Sequence, residues 1–170
     1  MTLRVSDAYQ EGDIQLNALR NAYLNIAMAK VATSAYEAKA MHFLKEGDGI
    51  TVNRNRLIKD AKMQVLELAA AGYTMPKMRK DIKVLGKSAL GMFVAGANSM
   101  RSGNYISDHD KFISEKLAYI MCGGDLSAPA LVSEQYLLDL EREAFLSLTG
   151  EKKTLERIQS ILNSGKPLRN

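Results

Sequence analysis

The chain has 170 residues, 46% hydrophobic and 25% charged, which is long enough to bury a core of its own and too apolar for disorder throughout. Its one cysteine, Cys122, excludes an internal disulfide, and no apolar run approaches the roughly 20 residues that cross a bilayer. The net charge of +4 is uneven: residues 51–102 hold 10 Lys/Arg against 3 Asp/Glu, a basic centre suited to a solvated face or to phosphate, acidic lipid or nucleic acid.

With no charged-then-apolar signal at its start, the chain reads as a cytoplasmic protein. Trp is absent, and the only prolines are Pro76, Pro129 and Pro167. Good helix formers fill the long stretches between them. The expected fold class is all-α: one domain of about seven short amphipathic helices.

Residues 1–13 lack periodicity and read as an irregular lead-in, with helical sequence from 14 to 170. Leu16, Leu19, Tyr23 and Ile26 recur at steps of three and four on the first helix. Ser34 followed three residues later by Glu37 is a capping box, opening a short second helix that should run to about Met41. Gly47-Asp48-Gly49 breaks the chain, and Ile50-Thr51-Val52 suits a short extended piece.

Asn53 caps a third helix, with Ile58, Ala61, Val65 and Leu68 as its expected inner face and Gly72 as its stop. Lys77 to Leu85 reads as a loop or one short strand. A fourth helix spans Ser88 to Arg101, with Leu90, Phe93, Val94 and Ala97 inward. Ser107 caps a fifth, helped by Asp108 and Asp110 in its first turn, and Gly123-Gly124 stop it. Ser133 caps a sixth that buries Leu137, Leu140, Ala144 and Leu148 and ends at Gly150. Leu155, Ile158 and Leu162 mark the core side of a seventh, closed by Gly165 and Pro167.

No constellation for catalysis stands out. Asp108-His109-Asp110 are consecutive at a helix start, so their side chains diverge, and His42 is remote. There is no His-x-x-x-His or Cys-x-x-Cys spacing for a metal. Ser107 serves as a cap rather than a nucleophile, and Cys122 at a helix C-terminus disfavours thiolate. Glu134, Asp139, Glu141, Glu143, Glu151 and Glu156 alternate with cations as solvated faces. Gly86, Gly91 and Gly96 match neither the dinucleotide nor the P-loop pattern, so no cofactor is expected in this chain.

Three strings carry a resemblance. They are Leu117 to Ser127 (LAYIMCGGDLS), Val132 to Phe145 (VSEQYLLDLEREAF) and Gly165 to Asn170 (GKPLRN). They resemble the carboxyl end of bacterial 3-hydroxyacyl-CoA dehydrogenases that carry a C-terminal enoyl-CoA hydratase module of the crotonase type, enzymes of fatty-acid β-oxidation. Ile26 to Ala38, then Asp48-Gly49-Ile50, then Asn53 to Tyr73 resemble the crotonase segments that follow the catalytic core.

The resemblance implies that the oxyanion hole, the acid–base glutamates, the NAD-binding fold and the dehydrogenase His–Glu pair precede this chain. No catalytic residue carries over. It further implies a role covering the acyl-CoA pocket and joining subunits, with the upstream hydratase and dehydrogenase domains as partners and a homo-oligomer as the assembly. An apolar patch around Leu19, Ile26, Phe93 and Tyr119 should then be left uncovered.

Charge alone, not the resemblance, nominates Arg54, Lys77, Arg79 and Lys80 as contacts to CoA phosphates. The competing readings are a basic nucleic-acid-binding helical domain and a purely protein-interacting one. Against nucleic acid, the basic stretch has no interleaved aromatic beyond Tyr73 and no recognition-helix signature.

Overall fold

A computed structural model describes residues 1–170. It contains eight α-helices, one short 3-10 turn and a single two-stranded sheet, an all-α protein as its composition predicts. No helix is long and apolar enough to cross a membrane. By its internal contacts the chain forms two compact units, Met1–Val31 together with Arg79–Asn170, and Ala32–Met78.

In the first unit the helices are α1 (Thr2–Asp7), α2 (Gln15–Ala27), α5 (Gly86–Ser102), α6 (Asp108–Cys122), α7 (Glu134–Thr149) and α8 (Lys152–Ser164). Its core joins Val5 of α1, Leu19 and Tyr23 of α2, Ala89 and Phe93 of α5, and Ala118, Met121 and Cys122 of α6. The Tyr23 and Phe93 rings pack with centroids 4.7 Å apart and planes tilted by 31°. Leu19 and Phe93 are therefore core residues and not part of an uncovered patch, because α2, α5 and α6 close on one another.

The expected irregular lead-in is corrected by α1. Six residues are too few to hold a helix alone. Here Thr2 and Val5, one turn apart, are buried, and Ser6 Oγ accepts from the Lys83 N–H at 2.9 Å. The short strand allowed between Lys77 and Leu85 is β1 (Ile82–Val84), paired antiparallel with β2 (Ala130–Val132), Ile82 opposite Val132. Ile82 and Val84 are among the most deeply buried side chains of the protein.

The cap at Ser107 forms in full: its Oγ accepts from Asp110 N at 3.1 Å, and its own N–H donates to the Asp110 carboxylate at 3.2 Å. Gly123 ends α6 in the left-handed region (φ 86°), and Ser133 caps α7 through the Tyr136 N–H. Leu140 and Ala144 are buried as expected. The inward face expected for α8 is corrected: Leu155, Ile158 and Leu162 are exposed, and α8 buries no residue. Polar groups hold it instead, with Thr154 Oγ1 2.9 Å from His109 Nε2 and Arg157 donating to Asp110 Oδ1 at 2.8 Å.

The second unit holds α3 (Ala35–Ala40), the 3-10 turn Arg54–Arg56 and α4 (Leu57–Ala70). Ser34 Oγ accepts from the Glu37 N–H at 3.1 Å, as the capping box requires. The returning arm lands one residue earlier, since the Glu37 carboxylate takes the N–H and hydroxyl of Thr33, both at 2.6 Å. Asn53 caps the 3-10 turn rather than α4 directly, its Oδ1 accepting from Asn55 N. Ile50-Thr51-Val52 is irregular and forms no strand.

The expected inner face of α4 is also corrected. Ile58 is 83% and Val65 63% exposed, and no residue between 32 and 78 is buried. This unit has its local caps and turns but no core of its own.

Candidate functional site

Of the four cations nominated for phosphate, Arg79 is committed elsewhere. Its guanidinium donates to Asp81 at 2.6 and 3.0 Å and meets Asp7 at 3.0 Å, while its carbonyl accepts from Glu134 N at 2.9 Å. The hydrogen bonds it donates to Asp81 and Asp7 raise its pKa further, so it is a fixed cation tying α1, the start of β1 and α7 together. Arg54 and Lys77 lie exposed in the second unit, and Lys80 lies exposed in the first.

The Asp108-His109-Asp110 segment diverges as its position at a helix start dictates. Asp108 pairs with Arg101, His109 turns inward to Thr154, and Asp110 takes Arg157 and Arg169 at 2.8 and 3.2 Å. Burial, then the Arg157 and Lys153 charges, lower the His109 pKa, which favours the neutral ring. Burial alone would raise the Asp110 pKa, but bonds from Arg157 and Ser107 outweigh it and hold the group at about 2.

A carboxylate depressed on folding stabilises above its unfolded pKa, near 3.9, and loses that contribution as pH falls through its folded value. Stability from this cluster is therefore expected to fall between about pH 4 and pH 2. Asp110→Asn should cost about 1.5–3 kcal/mol at pH 7 and flatten that acid limb, read from urea unfolding across pH. An unchanged acid limb in the variant would sink this assignment.

Cys122 is fully buried, and burial pushes its thiol up to about 12. It is a packed structural thiol, not a nucleophile. The β1–α5 turn is the nearest thing to a phosphate loop, with Gly86-Lys87-Ser88 opening α5 after a strand. Yet the Lys87 N–H already donates to the Leu126 carbonyl at 2.8 Å. A Cβ built on Gly86 would lie 2.7 Å from that oxygen and 2.8 Å from the Ala128 carbonyl. A phosphate would meet carbonyl oxygens here, so the turn does not fit a nicotinamide dinucleotide.

What remains as a candidate site is a surface. On α4, Leu57, Ala61, Val65 and Leu68 share an arc with Ile58 at its edge, all exposed, with Val52, Met75 and Met78 exposed nearby in the chain. Arg54, Arg56, Lys59 and Lys62 accompany this face against Asp60 and Glu67, and Asp60 is already engaged by Arg56 at 3.2 Å. Sequence periodicity found this face but could not tell whether the chain itself covers it.

Fold and surface together define a helical module with an uncovered apolar face on α4. Over 161 residues, 95% of its length, the chain is 44% identical to a probable 3-hydroxyacyl-CoA dehydrogenase of Bacillus subtilis (strain 168). It spans 20% of that relative's length. No family model matches the chain, and no solved structure matches it.

Proposed function

We propose that this chain is a non-catalytic helical part of a β-oxidation 3-hydroxyacyl-CoA dehydrogenase/enoyl-CoA hydratase, docking through α4 on the catalytic part and helping to cover the acyl-CoA pocket and join subunits. The observation that carries the reading is the α4 face. A helix whose Ile58 and Val65 are exposed, in a unit with no buried residue, gains little from packing within its own chain. The relative, of which this chain spans 20%, has ample polypeptide to cover it.

The excess of Arg54, Arg56, Lys59 and Lys62 beside the face favours an apolar partner surface with an acidic rim. Acyl-CoA belongs to the assembled enzyme, with Arg54, Lys77 and Lys80 as the cations still exposed toward its phosphates. NAD belongs to the parent's dehydrogenase domain.

The test is co-expression of the chain with the remaining four-fifths of the Bacillus-type enzyme, followed by gel filtration. Co-elution is expected, weakened at least tenfold by Ile58→Asp or Val65→Asp, both exposed positions that leave α4 folded. Failure of the unaltered chain to co-elute would overturn the reading.

A further inference from the structure

The first unit leaves two apolar features open, and they match each other. Tyr136 Oη donates to the Gly123 carbonyl at 3.0 Å, which sets the start of α7 beside the end of α6. The two helices run antiparallel and leave a trough of about 570 Å³ between them, lined by Ile113, Leu117 and Ile120 on α6 and Leu138 and Phe145 on α7. From Leu138 to Leu148 it extends about 15 Å along α7. The second feature is the stripe of α8. Leu155, Ile158 and Leu162 recur at steps of three and four over about 10 Å and stay exposed, while Thr154 and Arg157 hold the helix by polar bonds.

Area decides how two copies would meet. Stripe on stripe, each copy would bury on the order of 400 Å², the scale of incidental contacts. Stripe in trough, made twice, adds Leu138, Phe145 and the walls around them and approaches the roughly 800 Å² per partner of a stable pair. Because α8 begins three residues after α7 ends, stripe and trough adjoin at Leu148, and one two-fold axis serves both contacts. A foreign helix would fill the trough and leave the stripe open, whereas a second copy covers both.

Charge agrees. Lys116 lies on the trough rim and forms no ion pair, its ammonium 5.6 Å from the Phe112 ring centre. The neighbouring cations are taken: Lys111 by Glu115 at 3.6 Å and Arg142 by Asp139 at 3.3 Å. Glu141, the acid on the rim, lies toward the Met1 ammonium group, whose charged form it favours. On α8, Glu151 stands one turn before Leu155, in line with the stripe. It is exposed, and the ion pair of that turn is made instead by Lys152 and Glu156 at 3.9 Å.

We infer that two copies of this chain pair by exchange, the α8 stripe of each lying in the α6/α7 trough of the other, with Glu151 of one copy against Lys116 of its partner. The inference gives a surface to the subunit joining proposed above and rests on that part of the reading alone, since it uses no residue of α4.

The full chain is followed by sedimentation equilibrium over a concentration series. A species of twice the chain mass is expected. Leu162→Asp on the stripe and Phe145→Asp in the trough, both at exposed positions, should each weaken it at least tenfold with unchanged circular dichroism. Lys116→Glu and Glu151→Lys should each do the same, because each sets like charges together in both contacts. Mixing those two charge variants in equal amounts should restore the pair, since one contact is then reversed and the other is unaltered. Ile58→Asp on α4 should leave the pair intact, so failure of the α4 docking is read separately. The inference is overturned if the unaltered chain stays monomeric at every concentration, if the charge variants pair as well alone as mixed, if the mixture does not recover, or if Ile58→Asp abolishes pairing.

Discussion

Purified chain incubated with crotonyl-CoA is expected to leave the enoyl-thioester absorbance falling no faster than a heat-killed control. With 3-hydroxybutyryl-CoA and NAD it is expected to yield no reduced nicotinamide. Hydration needs donors at the thioester oxygen and a carboxylate positioned to handle water, and losing even one oxyanion donor typically costs about 10²–10³-fold. The histidine, aspartates and thiol that the sequence brings to notice are occupied here. His109 is buried against Thr154, Asp108 and Asp110 are held by arginines, and Cys122 is sealed in the core with its thiol pushed up to about 12. Hydride transfer needs a cradle for a dinucleotide, and the β1–α5 turn presents carbonyl oxygens where phosphate would sit. Turnover above control, abolished by a point change within this chain, would show that an active site is assembled here after all.

Gly86→Ala is expected to lower the stability of the first unit by about 3 kcal/mol or more, and its melting temperature by roughly 10 °C. Two effects add. Gly86 has φ 68°, where a side chain costs about 1–2 kcal/mol. The new Cβ would also meet two backbone carbonyls inside 3.0 Å, and neither can rotate away as a side chain could. Moving them would disturb the Lys87–Leu126 hydrogen bond and the start of β2, which carries the partner of Ile82. Gly96→Ala, on the same helix, is the control. Its Cβ would point into open space, and the gain in helix propensity should stabilise by up to about 1 kcal/mol. Equal thermal shifts for the two variants would contradict the close approach at Gly86.

Much of the fold is legible in the order of the residues. Ser34, Asn53, Ser107 and Ser133 all cap as their residue types dictate, because capping depends on atoms two or three residues away along the chain. Gly123 and Gly165 stop their helices in the left-handed region for the same local reason. The resemblance carried by the strings near residues 117–145 and 165–170 agrees with the similarity to a 3-hydroxyacyl-CoA dehydrogenase. The candidate cations were less legible. A charge count nominates Arg79 as readily as Lys80, and only the positions of Asp7 and Asp81 show that Arg79 is already bound.

By itself, then, the sequence determined seven of the eight helices, most of their ends and the enzyme it resembles, since these rest on local bonds and on residue order. Tertiary structure decided three further things. It made a helix of Thr2–Asp7 by packing Val5 into the core and bonding Ser6 to Lys83. It paired β1 with β2 across nearly 50 residues, through ladder bonds that no local pattern encodes. And it separated apolar stripes that look alike in sequence: Leu19 and Phe93 are closed in by neighbouring helices, while the stripes of α4 and α8 are left open. A periodic stripe reports only that a helix has an apolar side. Whether that side becomes core or surface depends on which other elements reach it, a non-local fact of packing.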